Sequence, residues 1–156
     1  MRVLFVCLGN ICRSPTAEAV FRARLDSTDL AAQVQFDSAG TAGYHAGEAP
    51  DRRATESAQR RGYDMRHLRA RQVRDEDFEV YDLILAMDRN NLADLRRRAD
   101  SRFHHKLKLF LEFTTAPALE VPDPYYGGPE GFDHVLDLVE STSDGLIRHL
   151  RERLAP

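Results

Sequence analysis

The sequence has few of the residues that mark several classes of protein. It contains two cysteines and no tryptophan among its 156 residues, too few cysteines for a disulfide scaffold. We therefore expect a reducing, cytoplasmic setting. No apolar run approaches the roughly 18 residues of a membrane span or forms the core of a secretory leader, so no membrane partner is expected. No Cys/His cluster has the spacing of a zinc site, so no metal is expected.

The charge balance argues against a nucleic-acid-binding protein. The net charge is −3, with 30% charged and 42% hydrophobic residues, which is typical of an ordinary globular domain. The arginine clusters at 52–53, 60–61 and 96–98 are interspersed with acidic residues and indicate solvated helix faces. We therefore expect no nucleic-acid partner. The length suits one domain over residues 1–156, without repeats or linkers.

Apolar runs alternate with amphipathic or polar segments along the chain. The runs that predict strands are 2–7, 34–40, 81–87 and the first half of 106–113. The segments that predict helices are 15–25, 51–62, 88–99 and 130–154. Ser14 is the expected N-cap of the first helix, and Gly145 is a weak point in the last. This alternation predicts an α/β fold, with a parallel sheet and helices on both faces.

The segment VCLGNICRSP places a cysteine at the end of the first predicted strand and an arginine before the first predicted helix. In an open parallel sheet, ligands bind beyond the carboxyl ends of the strands, where Cys7 lies. Gly9 and Asn10 tolerate the positive φ angles that turn N–H groups inward, beside the positive end of a helix. Arg13 adds paired donors that match phosphoryl oxygens. Residues 7–13, the nucleophile loop, are therefore predicted to bind phosphate above a nucleophile, Cys7.

Two neighbours bear on the chemistry of this cysteine. The positive field favours the thiolate form of Cys7, and the Ser14 hydroxyl can donate to its sulfur. A thiolate would attack phosphorus and hold the phosphoryl group covalently. For Cys12 two interpretations stay open. It is either a packed thiol or a redox partner that forms a reversible disulfide with Cys7 under mild oxidation.

A second motif, DPYYGG, supplies a candidate acid. Expulsion of a phenolate requires a proton donor, and hydrolysis of the covalent intermediate then requires a base. Asp123 stands between Pro122 and Pro124, whose fixed φ angles stiffen residues 121–129, the acid loop. It is predicted to serve both purposes in turn. Tyr125 and Tyr126 are predicted to form a wall for an aromatic substrate.

Further side chains are candidates for the lining of the same slot. Leu8 and Ile11, inside the nucleophile loop, would add apolar contacts to a ring. Tyr44 and His45 either form the opposite rim or only pack their own loop.

These motifs resemble those of the bacterial low molecular weight protein tyrosine phosphatases. The family's signature loop is matched by VCLGNICRSPTAE, its second strand end by DSAGT, its middle segments by RARQV and DLILAMDRNNL, and its acid loop by DPYYGG. The resemblance implies a cysteine-dependent phosphomonoesterase that hydrolyses phosphotyrosine in proteins through a phosphocysteine intermediate. It also implies a four-stranded parallel twisted sheet and no cofactor.

The resemblance carries over residue by residue. It implies Cys7 as nucleophile, Arg13 as phosphoryl clamp and Asp123 as general acid and then base. The residues that it implies around the phosphate or in support of the loop are Leu8, Gly9, Asn10, Ile11, Cys12, Ser14 and Ser38. Among these, Asn10, Ser14 and Ser38 are expected to form a hydrogen-bond network behind the loop. The resemblance also implies that His67 belongs to the residues that support the nucleophile loop from behind.

The resemblance also bears on which class of substrate the protein accepts. Arsenate reductases of this fold require further cysteines, and none follows Cys12. Protein-arginine phosphatases of the same fold are the alternative, but they carry threonine where Ile11 stands, and isoleucine suits an aryl ring better than a guanidinium group. A non-catalytic phosphate-binding module is a remote alternative, because the nucleophile and the acid are both present. The implied partners are phosphotyrosine proteins, among them a bacterial tyrosine kinase, with inorganic phosphate and other oxyanions as competitive ligands.

Overall fold

A single parallel sheet forms the centre of the molecule. The computed structural model describes residues 1–114 and 119–156, and its strands are β1 Arg2–Cys7, β2 Gln35–Gly40, β3 Leu83–Ala86 and β4 Leu107–Leu109. Their spatial order is β2-β1-β3-β4, and each neighbouring pair is parallel. The predicted four-stranded parallel sheet is confirmed.

The central strand β1 is buried on both of its faces. Because successive side chains of a strand point to opposite sides, Val3 and Phe5 enter one hydrophobic cluster, whereas Leu4 and Val6 enter the other. All four side chains are fully buried. A strand covered on both faces requires an unbroken apolar run rather than an alternating one, which is the pattern that residues 3–6 show.

Helices cover both faces of this sheet. Within the described residues they are α1 Arg13–Asp26, α2 Arg52–Arg60, α3 Asp75–Val80, α4 Arg89–Arg98 and α5 Glu130–Leu154. Helices α1, α2 and α5 pack into the cluster that contains Phe5, and α3 and α4 pack into the other. The predicted α/β architecture is therefore confirmed. Short 3-10 turns occupy Ala31–Gln33, Ser101–Lys106 and Phe110–Phe113. None of the helices in the described part is long and apolar enough to cross a membrane.

The start of α1 differs from the prediction. The helix begins at Arg13 rather than Pro15, and its N-cap is Cys12, which makes no side-chain capping bond. The prediction of Ser14 as N-cap is wrong. Ser14 lies inside the first turn, fully buried, and its Oγ is 3.0 Å from the sulfur of Cys7. This hydroxyl serves the nucleophile loop instead of the helix end.

In two short elements a single carboxylate captures a backbone N–H. Helix α3 was not predicted, because six residues are too few to show the hydrophobic period of a helix. Its first turn is stabilised by the Asp77 carboxylate, which accepts from Arg74 N–H at 2.8 Å. Strand β4, Leu107–Leu109, lies within the predicted first half of 106–113; there the Glu112 carboxylate accepts from Leu109 N–H at 2.6 Å, and the chain turns into a 3-10 helix.

Gly145 does not interrupt α5, which continues through it for 25 residues. The residue is buried at a close approach of the helix to another segment. A Cβ atom at this position would overlap the carbonyl oxygen of Phe113. The glycine that was predicted to be a weak point is therefore a packing requirement.

Gly145→Ala is expected to lower the free energy of unfolding by about 1–3 kcal/mol, although alanine is the better helix former, because the methyl group must separate α5 from the Phe113 backbone. Urea denaturation measures the change. Gly131→Ala is the matched control in the same helix, since its Cβ would meet Pro124 at 3.5 Å, an ordinary contact. Equal stability of the two variants would contradict the packing role.

Candidate active site

The nucleophile loop lies where the sheet order reverses. From β1 the chain passes to β2 on one side and later to β3 on the other, and open α/β sheets bind ligands at such a switch point. Cys7 ends β1, and Asp88 follows β3 closely at the same edge. The acid loop reaches this edge too, because Val121 N–H donates to the Met87 carbonyl at 2.8 Å.

The loop makes its tight turn at Asn10. This residue has a φ of 57°, in the left-handed region that asparagine tolerates better than most residues. Its backbone N–H consequently points at the Cys7 sulfur, at 3.3 Å. Gly9, in contrast, does not have a positive φ. The prediction that this glycine provides a left-handed turn is therefore wrong. A Cβ on Gly9 would lie 3.0 Å from Cδ2 of His45, so this glycine allows the histidine ring to approach closely.

Hydrogen-bond donors converge on the buried Cys7 sulfur. Asn10 Nδ2 donates to Ser14 Oγ at 2.8 Å, which leaves the single Ser14 hydrogen for the nearer of two acceptors, the Cys7 sulfur at 3.0 Å rather than the Ala39 carbonyl at 3.4 Å. Together with the Asn10 backbone N–H, two donors are therefore directed at one sulfur atom. This environment suits a sulfur that carries negative charge.

The same asparagine connects the loop to a buried carboxyl group. Asn10 Nδ2 also donates to Ser38 Oγ at 3.0 Å, and Ser38 Oγ donates to Oε1 of Glu18 at 2.7 Å. The structure thus brings Asn10, Ser14 and Ser38 together as expected, and adds Glu18 behind them. Glu18 lies in the middle of α1, where no sequence signal marked it.

The segment RARQV supports Asn10 from the other side. Arg71 N–H donates to Asn10 Oδ1 at 3.0 Å, and the Arg71 carbonyl accepts from Gly40 N–H at 2.8 Å. The Arg71 guanidinium pairs with Asp77 at 2.9 Å and with Asp37 at 3.0 Å. His67 is exposed to solvent, so the layer behind the loop is completed by the Arg71 backbone and not by this histidine.

Arg13 is buried with its charge intact. Burial alone would lower the pKa of this guanidinium, but the nearby Cys7, Asp88 and Asp123 raise it above its usual range. Arg13 Nη1 donates to Asp88 Oδ2 at 2.6 Å and to the Val121 carbonyl at 3.0 Å. Its Nη2 lies 3.7 Å from Asp123 Oδ2. The guanidinium is therefore close to the candidate acid and lines the same cleft as Cys7.

Asp88 is a residue whose place in the site was not predicted. The sequence marked it only as the start of a helix, and it does cap α4 by accepting from Asn91 N–H at 2.7 Å. Its other oxygen holds Arg13. The signal was present, because an aspartate directly beyond a buried parallel strand lies at the ligand-binding edge of the sheet.

The candidate substrate residues meet in one cleft. The Asp123 side chain is 43% exposed and accepts from Tyr125 N–H at 3.1 Å. Tyr44 and Tyr126, which also line this cleft, are 75% and 94% exposed. The cleft is lined by Cys7, Leu8, Gly9, Ile11, Cys12, Arg13, Tyr44, His45, Asp123, Tyr125 and Tyr126.

Cys12 is a buried thiol in this cleft. Burial raises its pKa far above the usual range, and the charges of Asp51 and Cys7 add to the effect. It is therefore protonated at neutral pH. Both cysteines are free thiols here, and a disulfide between them stays a hypothesis. Within residues 1–114 and 119–156, no group of three or more His, Cys, Asp or Glu side chains could hold a metal ion.

A Cys-x5-Arg loop at the end of a central parallel strand, faced by an aspartate on a second loop, defines a cysteine-dependent phosphatase. The chain belongs to the low molecular weight phosphotyrosine protein phosphatase family, whose model matches residues 2–155.

Individual relatives agree with the family match. The chain is 46% identical to a low molecular weight protein-tyrosine-phosphatase of Streptomyces coelicolor, over 98% of this chain and 95% of that one. It is 44% identical to the human low molecular weight phosphotyrosine protein phosphatase, over 85% of each chain. The crystal structure of a protein tyrosine phosphatase from Entamoeba histolytica matches with a TM-score of 0.94 and 42% identity, over 98% of each chain.

The predicted activity is thereby confirmed. The chain is a protein tyrosine phosphatase that acts on phosphoproteins by the family's cysteine-based, metal-independent mechanism. The arginine phosphatase and the non-catalytic binding module are not favoured.

Glu18→Gln is expected to remove a pH dependence from stability. Burial raises the pKa of Glu18, while its hydrogen bond from Ser38 acts in the opposite direction. A raised folded-state pKa means that the contribution to stability is full below the ordinary value of 4.5 and is lost as pH rises through the folded value. The wild type should therefore lose stability relative to Glu18→Gln as pH rises.

Urea midpoints of both proteins, from about pH 4 to about pH 8, measure this difference. Glu152→Gln, at an exposed position of α5, is the control and should follow the wild type throughout. A difference between wild type and Glu18→Gln that stays constant over this range would show that Glu18 does not titrate as described.

Proposed function

We propose that Cys7 is the nucleophile of this phosphatase. The observation that carries the proposal is the pair of donors on its sulfur, Ser14 Oγ at 3.0 Å and Asn10 N–H at 3.3 Å. A thiolate held there attacks phosphorus, forms a phosphorus–sulfur bond and breaks the bond to the phenolic oxygen of the substrate.

Arg13 is the proposed clamp for the transferred phosphoryl group. Its Nη1 is occupied by Asp88 and by the Val121 carbonyl, which leaves Nε and Nη2 for two phosphoryl oxygens. Because the guanidinium is held in advance, little ordering remains when substrate binds. Charge that develops on the phosphoryl oxygens is then met by a fixed cation in a site largely shielded from water.

Asp123 is the proposed general acid and base. In its protonated form it gives its proton to the departing phenolate, and the resulting carboxylate then takes a proton from the water that attacks phosphocysteine. The second step breaks the phosphorus–sulfur bond, releases phosphate and regenerates the thiolate. Its place on the partly exposed acid loop, with Arg13 Nη2 at 3.7 Å, supports this role.

The substrate's ring is proposed to enter the cleft between the two aromatic pairs that line it, Tyr125 with Tyr126 and Tyr44 with His45. Leu8 and Ile11 would supply apolar contacts to the ring. The proposed partners are phosphotyrosine proteins, including a bacterial tyrosine kinase, with inorganic phosphate and other oxyanions as competitive ligands. Residues 1–156 are proposed to form one catalytic domain, and its free thiols support a cytoplasmic site of action.

Cys7→Ser is expected to reduce hydrolysis of an aryl phosphate at least about a thousandfold, because a serine hydroxyl is not ionised in this loop, while inorganic phosphate still binds. Initial rates and calorimetric titration with phosphate measure the two effects. Cys12→Ser is the matched comparison and is expected to lose far less turnover. Retained turnover in Cys7→Ser would refute the assignment.

Asp123→Ala is expected to slow phenyl phosphate far more than an aryl ester whose phenol is strongly acidic, because only the poor leaving group depends on protonation. The ratio of the two kcat values, compared with that of the wild type, is the measurement. Equal losses on both esters would remove Asp123 from the role of acid.

A further inference from the structure

We propose that Arg53 holds the acid loop over the nucleophile loop and so positions Asp123 for proton transfer. Arg53 lies in the first turn of α2 and was not among the predicted site residues. It acts through its neighbours and is a positioning residue, not a catalytic one. This inference rests on the role proposed for Asp123.

The guanidinium of Arg53 contacts the acid loop directly. Its Nη2 donates to the Tyr125 carbonyl at 2.9 Å, and its central carbon lies 5.4 Å from the centre of the Tyr125 ring. The same carbon is 4.9 Å from the ring centre of Phe132, near the start of α5. One charged group thus contacts the loop and the helix that follows it, by a hydrogen bond and by cation–π contacts.

Tyr125 connects Arg53 to Asp123 through its backbone. While its carbonyl accepts from Arg53, its own N–H donates to Asp123 Oδ1 at 3.1 Å. The contact of Asp123 with Arg13, at 3.7 Å, is longer than a hydrogen bond. The orientation of the Tyr125 backbone therefore governs where the carboxyl group of Asp123 points.

Arg53 is itself anchored to the nucleophile loop. Its Nη2 pairs with Asp51 Oδ2 at 3.1 Å, and Asp51 N–H donates to the Ile11 carbonyl at 2.8 Å. Burial would raise the pKa of Asp51, but the hydrogen bonds from Arg53 lower it. Both partners are therefore charged at neutral pH. A continuous chain of contacts runs from Ile11 through Asp51 and Arg53 to Tyr125, and it joins the two catalytic loops.

The adjacent Arg52 provides a contrast. Its side chain is 90% exposed and pairs with Glu56 in the same helix at 3.0 Å. An exposed pair of this kind contributes little to stability, and its partner lies in the same helix. Lysine could not replace Arg53, because a single ammonium group lacks the planar fork that binds a carboxylate and a carbonyl while it stacks on rings.

The test measures leaving-group dependence in Arg53→Ala and Arg53→Met, the second of which keeps an apolar stem against Phe132. Both variants are expected to lose about 10–100-fold in kcat on phenyl phosphate, the cost of a misplaced acid. The loss should be much smaller on an ester with a strongly acidic phenol. Inhibition by inorganic phosphate should be unchanged. Arg52→Ala is the matched control and should resemble the wild type on both esters.

A double-mutant cycle separates positioning from general damage. In an Asp123→Ala background, Arg53→Ala should cause almost no further loss on phenyl phosphate, because the group that it positions is absent. Additive losses, or equal losses of Arg53→Ala on both esters, would overturn the inference. If instead Asp123→Ala alone fails to discriminate between the esters, the proposed role of Asp123 fails, and the two failures are distinguishable. Urea midpoints confirm that each variant is folded.

Discussion

The site depends on the conformation of one residue, Asn10. Its left-handed backbone directs an N–H at the Cys7 sulfur, and its side-chain amide donates to Ser14 and Ser38. Because the amide oxygen accepts from the Arg71 backbone, the side chain is held from both ends. A left-handed non-glycine residue persists only where its surroundings over-determine it, and these bonds provide that restraint.

Around this centre the enzyme keeps its charged groups buried but paired. Arg13 is held by Asp88, which also caps α4, so one carboxylate fixes both the start of the helix and the guanidinium proposed to clamp the phosphoryl group. Glu18 is satisfied through Ser38, behind the nucleophile loop. Buried charges are costly without partners, and these pairs place a cation and an oriented hydroxyl beside the sulfur at little cost in reorganisation.

The features that could be predicted from the sequence depend on residues that are neighbours in the chain. Residues 3–6 identify a strand buried on both faces, and the short spacing from Cys7 to Arg13 keeps the proposed nucleophile and clamp in one loop whatever the rest of the fold does. Asp123 stood out as the candidate acid because prolines flank it. The short helix α3 was less predictable, because its start depends on a single carboxylate, Asp77, that accepts from a backbone N–H.

By itself the sequence determined the four strands and the longer helices, because these follow from periodicity, and it marked Cys7, Arg13 and Asp123 as the candidate nucleophile, clamp and acid, because each lies in a short local motif. Only the tertiary structure decided that Ser14 serves the sulfur rather than the helix end, and that Asp88, Arg71 and Arg53 reach the two loops. These contacts join segments far apart in sequence. These hydrogen bonds form only after the helices have packed on the sheet, so no local sequence pattern predicts them.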